Sequence, residues 1–114
     1  RDDKVVAAWN GWLIDALAQS AMIFSRPDWL AVATEAAEYL WQIHWRDGRL
    51  RRTSRDGLVG AAAGILEDYA AFALAAVRLA ACIGWHVVST LARESSLVTD
   101  SYFGTRALLE ACNN

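Results

Sequence analysis

The sequence predicts an all-α fold of antiparallel helical hairpins, with a short β-ribbon or ordered loop between them. Ala-rich segments carry larger apolar residues at helical spacing. One Pro and seven Gly in 114 residues leave few places for breaks, so the elements should be long. The hydrophobic fraction of 55% and the six Trp exceed what so short a chain is expected to bury. The sequence therefore calls for cover, either from a second copy (a homodimer) or from the remainder of a longer chain.

The first helix is expected from about Lys4 to Phe24. Val5, Val6, Trp9, Trp12, Leu13, Leu17 and Met22 carry its periodicity, and Asp2 and Asp3 precede it as candidate caps. Gly11 costs about 1 kcal/mol against Ala inside a helix, which calls for close packing or close approach of a ligand. Ser25-Arg26-Pro27-Asp28 breaks the chain, with Pro27 suited to the first position of a second helix that runs to about Trp45. Two helices joined by so few residues make an αα-hairpin. From Arg46 to Gly57, two Asp-Gly pairs bracket a ribbon or loop, and the segment to Gly64 is small-residue chain. A third helix is expected from near Ile65 to about Cys82, with Gly84 as its C-cap. Val87 to Arg93 and Phe103 to Cys112 read as two shorter helices, separated by turn chemistry at Ser95-Ser96 and Thr99-Asp100-Ser101.

Eleven basic against thirteen acidic residues give a net charge of −2, which argues against a nucleic-acid footprint. The sequence reading finds neither an apolar run of spanning length nor a signal peptide, so a membrane partner is not expected and a cytoplasmic protein is. Cys82 and Cys112 form no CxxC and read as free thiols. No metal site and no cofactor is expected: His44 and His86 have no partner at ligand spacing and read as surface or hydrogen-bonded core histidines. Ser20, Ser54 and Ser89 lack a nucleophile-elbow context. The Arg cluster Arg46, Arg49, Arg51, Arg52 and Arg55 is flanked by Asp47 and Asp56 and reads as a solvated ribbon.

Arg1-Asp2-Asp3-Lys4-Val5-Val6-Ala7-Ala8-Trp9-Asn10-Gly11, together with Arg55-Asp56-Gly57 and Gly64-Ile65-Leu66-Glu67-Asp68-Tyr69-Ala70, resembles a known family. It is the C-terminal region of the thioredoxin-domain-containing family that includes spermatogenesis-associated protein 20. The resemblance covers about residues 1–81. It implies a partial α/α toroid similar to the six-hairpin glycosidases, about two hairpins of six, within a single helical domain over residues 1–114. The start at Arg1 reads as an excised or processed chain. Beyond Cys82 the pattern diverges, as a truncated or frame-shifted product would. The family's thioredoxin-like domain and its CxxC are absent, so no redox chemistry is carried over.

In such toroids the starts of inner helices face a central pocket. The resemblance thus makes Asp2, Asp3, Lys4, Trp9, Asn10, Glu67, Asp68 and Tyr69 binding candidates, with a carbohydrate as the implied ligand. Flat aromatic faces and hydrogen-bonding carboxylates suit a sugar. Asp3 and Asp68 are the candidate catalytic pair, because adjacent Glu67 and Asp68 cannot face each other on one helix. The structural alternatives are helix capping for the acidic residues and plain core for Trp9. An isolated third of a toroid lacks most of a pocket wall, so the chain alone is expected to turn nothing over. The alternative is a non-enzymatic interaction module that self-associates through its apolar helix faces.

Overall fold

The structure, a computed structural model, describes residues 2–102, with side-chain surroundings up to residue 95. It is predominantly helical, with two small antiparallel sheets between the helical segments and, among the described residues, no closed toroid. The elements are β1 (Val5–Val6), α1 (Ala7–Ile23), α2 (Pro27–Tyr39), a π-helical turn (Leu40–His44), β2 (Trp45–Arg46), β3 (Arg49–Leu50), β4 (Thr53–Arg55), β5 (Leu58–Val59) and α3 (Leu66–Tyr102). The chain divides into two units, Arg1–Cys82 and Ile83–Asn114.

Within the first unit, α1 begins at Ala7 rather than Lys4. Val5 and Val6, β-branched and suited to a strand, pair with Ser54 and Thr53 of β4. Asp2 and Asp3 therefore do not cap it; its N-cap is Val6, which makes no side-chain cap bond. The orphan N–H groups find other partners, Ala7 donating to the Arg52 carbonyl at 2.9 Å and Ala8 to the Asp68 carboxylate at 3.0 Å.

The break between α1 and α2 is closed by backbone bonds, including Arg26 N–H to the Ala21 carbonyl at 2.8 Å, with Ser25 at φ 52°. Pro27 opens α2 as expected, and Phe24 packs edge-on against Trp29 at 6.0 Å between ring centroids. The ribbon resolves into two hairpins rather than one. Asp47-Gly48 and Asp56-Gly57 all have positive φ, and each pair forms the tight turn of its own hairpin, β2–β3 and β4–β5.

Helices α1 and α3 run parallel. Ala8 meets Asp68, Gly11 meets Ala71, the Asp15 carboxylate holds Arg78 at 2.8 Å, and the Cys82 thiol points at the Ala18 carbonyl. A Cβ on Gly11 would lie 2.7 Å from the Ala71 carbonyl carbon, so close packing explains this glycine. The core of the unit is Ala7, Ile14, Ala18, Ala21, Leu30, Ala33, Leu40, Leu50, Ala75 and Leu79 with Cys82.

Gly84 does not end α3. The helix continues to Tyr102 through the expected turns at Ser95-Ser96 and Thr99-Asp100-Ser101, and Val87–Arg93 belongs to it rather than forming a helix of its own. No Pro interrupts this segment, and Gly84 keeps a negative φ, so it carries the mild cost of a mid-helix glycine instead of a left-handed cap. In the second unit, Ile83, Trp85, Val87, Val88 and Leu91 are exposed. The helix expected over Phe103 to Cys112 lies outside the described residues. Over Leu66–Ser95, α3 is long and apolar enough by length and composition to cross a bilayer, which residue-by-residue inspection of the sequence did not find. Within that stretch Asp68 and Arg78 are engaged by other segments of the first unit.

Candidate functional site

Two buried polar centres lie where the sheets meet the helices. The first is Asp68, with no exposed surface. One carboxylate oxygen accepts from Ala8 N–H at 3.0 Å; the other accepts from Ile65 N–H at 2.9 Å and from the Arg52 guanidinium at 2.9 Å. A carboxylate at the start of α3 thus caps its own helix, caps the parallel α1, and anchors the strand segment carrying Arg52. Glu67 lies at 4.0 Å from the same guanidinium on a more exposed edge.

The second centre is His44, also fully buried. Its Nδ1 lies 2.9 Å from the Arg51 carbonyl, which can only accept, so Nδ1 carries the proton. Nε2 must then accept from the Ser54 hydroxyl at 2.8 Å, which leaves the Tyr39 hydroxyl to donate to Ser54 Oγ at 3.0 Å. Burial pushes the imidazole below the ordinary histidine range, against the Arg51 carbonyl and the Asp68 charge, both of which favour the proton. The order serine, histidine, carbonyl resembles a nucleophile with its base and orienting group. Ser54 is only 2% exposed, however, so no substrate reaches its hydroxyl in this conformation. The sequence gave His44 as a surface or core histidine, and the structure makes it core. Ser54 and Tyr39 were not anticipated, because only the β4 pairing brings them to the ring.

The remaining candidates scatter. Asp3 is ion-paired with Arg55 at 2.8 Å, while Asp68 is held by Arg52. Asp2 and Lys4 form an exposed pair at 3.8 Å. The Asn10 side chain donates to the Val6 carbonyl at 2.9 Å and so braces the first turn of α1. The Tyr69 hydroxyl accepts from Leu50 N–H at 3.0 Å, with its ring edge-on to Trp45. Trp9 is 64% exposed, which removes the plain-core alternative for it.

One open depression of about 330 Å³ is lined by Lys4, Thr53, Ser54, Arg55, Leu58 and Gly60, and another of about 510 Å³ by Arg46, Asp47, Arg51, Val59, Gly60 and Ala61. Of the sequence candidates only Lys4 lines either. Among the described residues no three His, Cys, Asp or Glu side chains gather as a metal site would require. Cys82 is a buried free thiol.

The most unusual surface is apolar. On α1 the outward positions are Trp9, Trp12, Leu13, Ala16 and Ile23, at successive helical spacings. On α3 of the first unit they are Leu66, Ala70, Ala73, Leu74, Val77 and Ala80. The outward face of α2 is different, carrying Asp28, Glu35 and Glu38 beside Ala31 and Val32. Compared with protein-family models and with curated proteins, the chain matches none.

Proposed function

We propose that this chain is a non-catalytic interaction module whose working surface is the outward apolar faces of α1 and α3. The contrast with α2 carries the proposal. A surface helix of a globular protein is apolar on one side and charged on the other, as α2 is. A helix that is apolar all round belongs in an interior, and α1 is apolar on its buried and exposed sides alike. The polar centres support the same reading, because Asp68 and the His44–Ser54–Tyr39 chain spend their hydrogen bonds inside the fold. Light scattering across a concentration series tests it. A mass that rises above the 12.5 kDa of one chain is expected. A monomer at every concentration, with no binding of an apolar-surface dye, would refute it.

The parallel contact of α1 with α3, with antiparallel α2 between them in sequence, favours a second reading. Two successive hairpins of an α/α toroid would place their inner helices in this way, which agrees with the resemblance over residues 1–81. Further hairpins of a longer protein would then cover the same faces, and carbohydrate chemistry would belong to that assembly. Hydrolysis or epimerisation of a sugar by the purified 114-residue chain would show instead that this chain carries an active site of its own.

A further inference from the structure

We propose that the two apolar stripes are complementary to each other, and that a second copy of this chain docks by seating the bulky α1 stripe of one protomer on the small-residue α3 stripe of the other. The inference rests on the module reading above and specifies its partner and geometry. Trp9, Trp12 and Leu13 project from α1 and are 64%, 48% and 64% exposed. Ala70, Ala73 and Ala80 make much of the α3 stripe shallow, so a neighbouring backbone can approach closely while large side chains fill the gap. Bulky against bulky would hold two such faces apart, and small against small would bury little area.

The two stripes lie in one compact unit on directly packed, parallel helices. A two-fold operation that makes the α1–α3 contact once makes it twice, which is how an isologous interface closes. The α2 face is excluded as the meeting surface, because Asp28, Glu35 and Glu38 would confront their own copies. The area also suffices. The chain presents 8003 Å² of accessible surface, against roughly 6,200 Å² for a compact monomer of its mass. A standard interface needs only about 800 Å² from each partner.

Disulfide trapping tests both the partner and the geometry. Chains carrying Leu13→Cys and chains carrying Ala73→Cys, each in a Cys112→Ser background, are oxidised separately and as a mixture, with helicity checked by circular dichroism. Cross-linked dimer is expected in the mixture and lost when either variant is oxidised alone. A parental chain that is dimeric by light scattering, combined with Leu13→Cys chains that cross-link to themselves, would overturn this geometry and leave the module reading standing. A parental chain that stays monomeric at all concentrations would overturn both, and needs no variant to fold.

Discussion

At the scale of single residues, Asp68 joins three segments through one carboxylate. It accepts from Ala8 at the start of α1, from Ile65 at the start of its own helix, and from Arg52 of the strand layer. Replacing it with Ala strands two backbone donors and leaves the Arg52 guanidinium unpaired beside them. The expected loss is about 3–5 kcal/mol, the usual cost of breaking one side of a buried pair, read from urea unfolding. Asp68→Asn keeps one acceptor oxygen and should cost less. His44 contributes a pH dependence. Its folded-state pKa is lowered, chiefly by burial, whereas the unfolded chain titrates near the ordinary value of about 6.5. Between those two values the unfolded state binds the proton and the folded state does not. The stability contribution is therefore complete above about pH 6.5 and declines as the pH falls toward the lowered pKa. Denaturant midpoints measured between about pH 7.5 and 5.5 should fall. His44→Gln should flatten that slope; an unchanged slope would place the titration elsewhere.

Among the elements, two glycines separate propensity from packing. Both sit inside helices, where Ala is favoured over Gly by about 1 kcal/mol. At Gly84 a Cβ would meet nothing within 4 Å, so Gly84→Ala should raise helicity and stability by about that amount. At Gly11 the added atom lies 2.7 Å from backbone of Ala71, which cannot swing aside as a side chain could. Overpacking of this kind costs about 1–3 kcal/mol and outweighs the propensity gain, so Gly11→Ala should lower the thermal midpoint. The same distinction explains what was legible in the sequence. Pro27 and the two Asp-Gly turns are local chemistry, and all three act where they were expected. The start of α1 was misplaced because Val5 and Val6 are drawn into a strand by residues far along the chain. The cap on Ala8 was hidden for the same reason, since Asp68 reaches it only through the tertiary fold. Gly84 was read as a stop because a glycine after an apolar run is ambiguous without knowing whether the helix beyond it is interrupted.

For the whole molecule, the prediction concerns which face associates. Leu13 on α1 is 64% exposed in one chain and Val32 on α2 is 54% exposed, so a glutamate at either position should disturb the isolated fold by no more than about 0.5 kcal/mol. Association distinguishes them. If α1 is the covered face, Leu13→Glu places an unpaired carboxylate in an apolar contact and removes buried leucine surface as well. Together these cost several kcal/mol, and about 2.7 kcal/mol already weakens a dissociation constant 100-fold. Val32→Glu adds a charge to a face that already carries Glu35 and Glu38 and should leave the dissociation constant within about threefold. Sedimentation of the parental chain and both variants over one concentration range makes the comparison, with circular dichroism confirming that each variant is folded. Equal weakening by the two substitutions would mean that net charge, rather than the α1 face, governs association. Weakening by Val32→Glu alone would move the interface to α2, and the unpartnered face of α1 would then need another explanation.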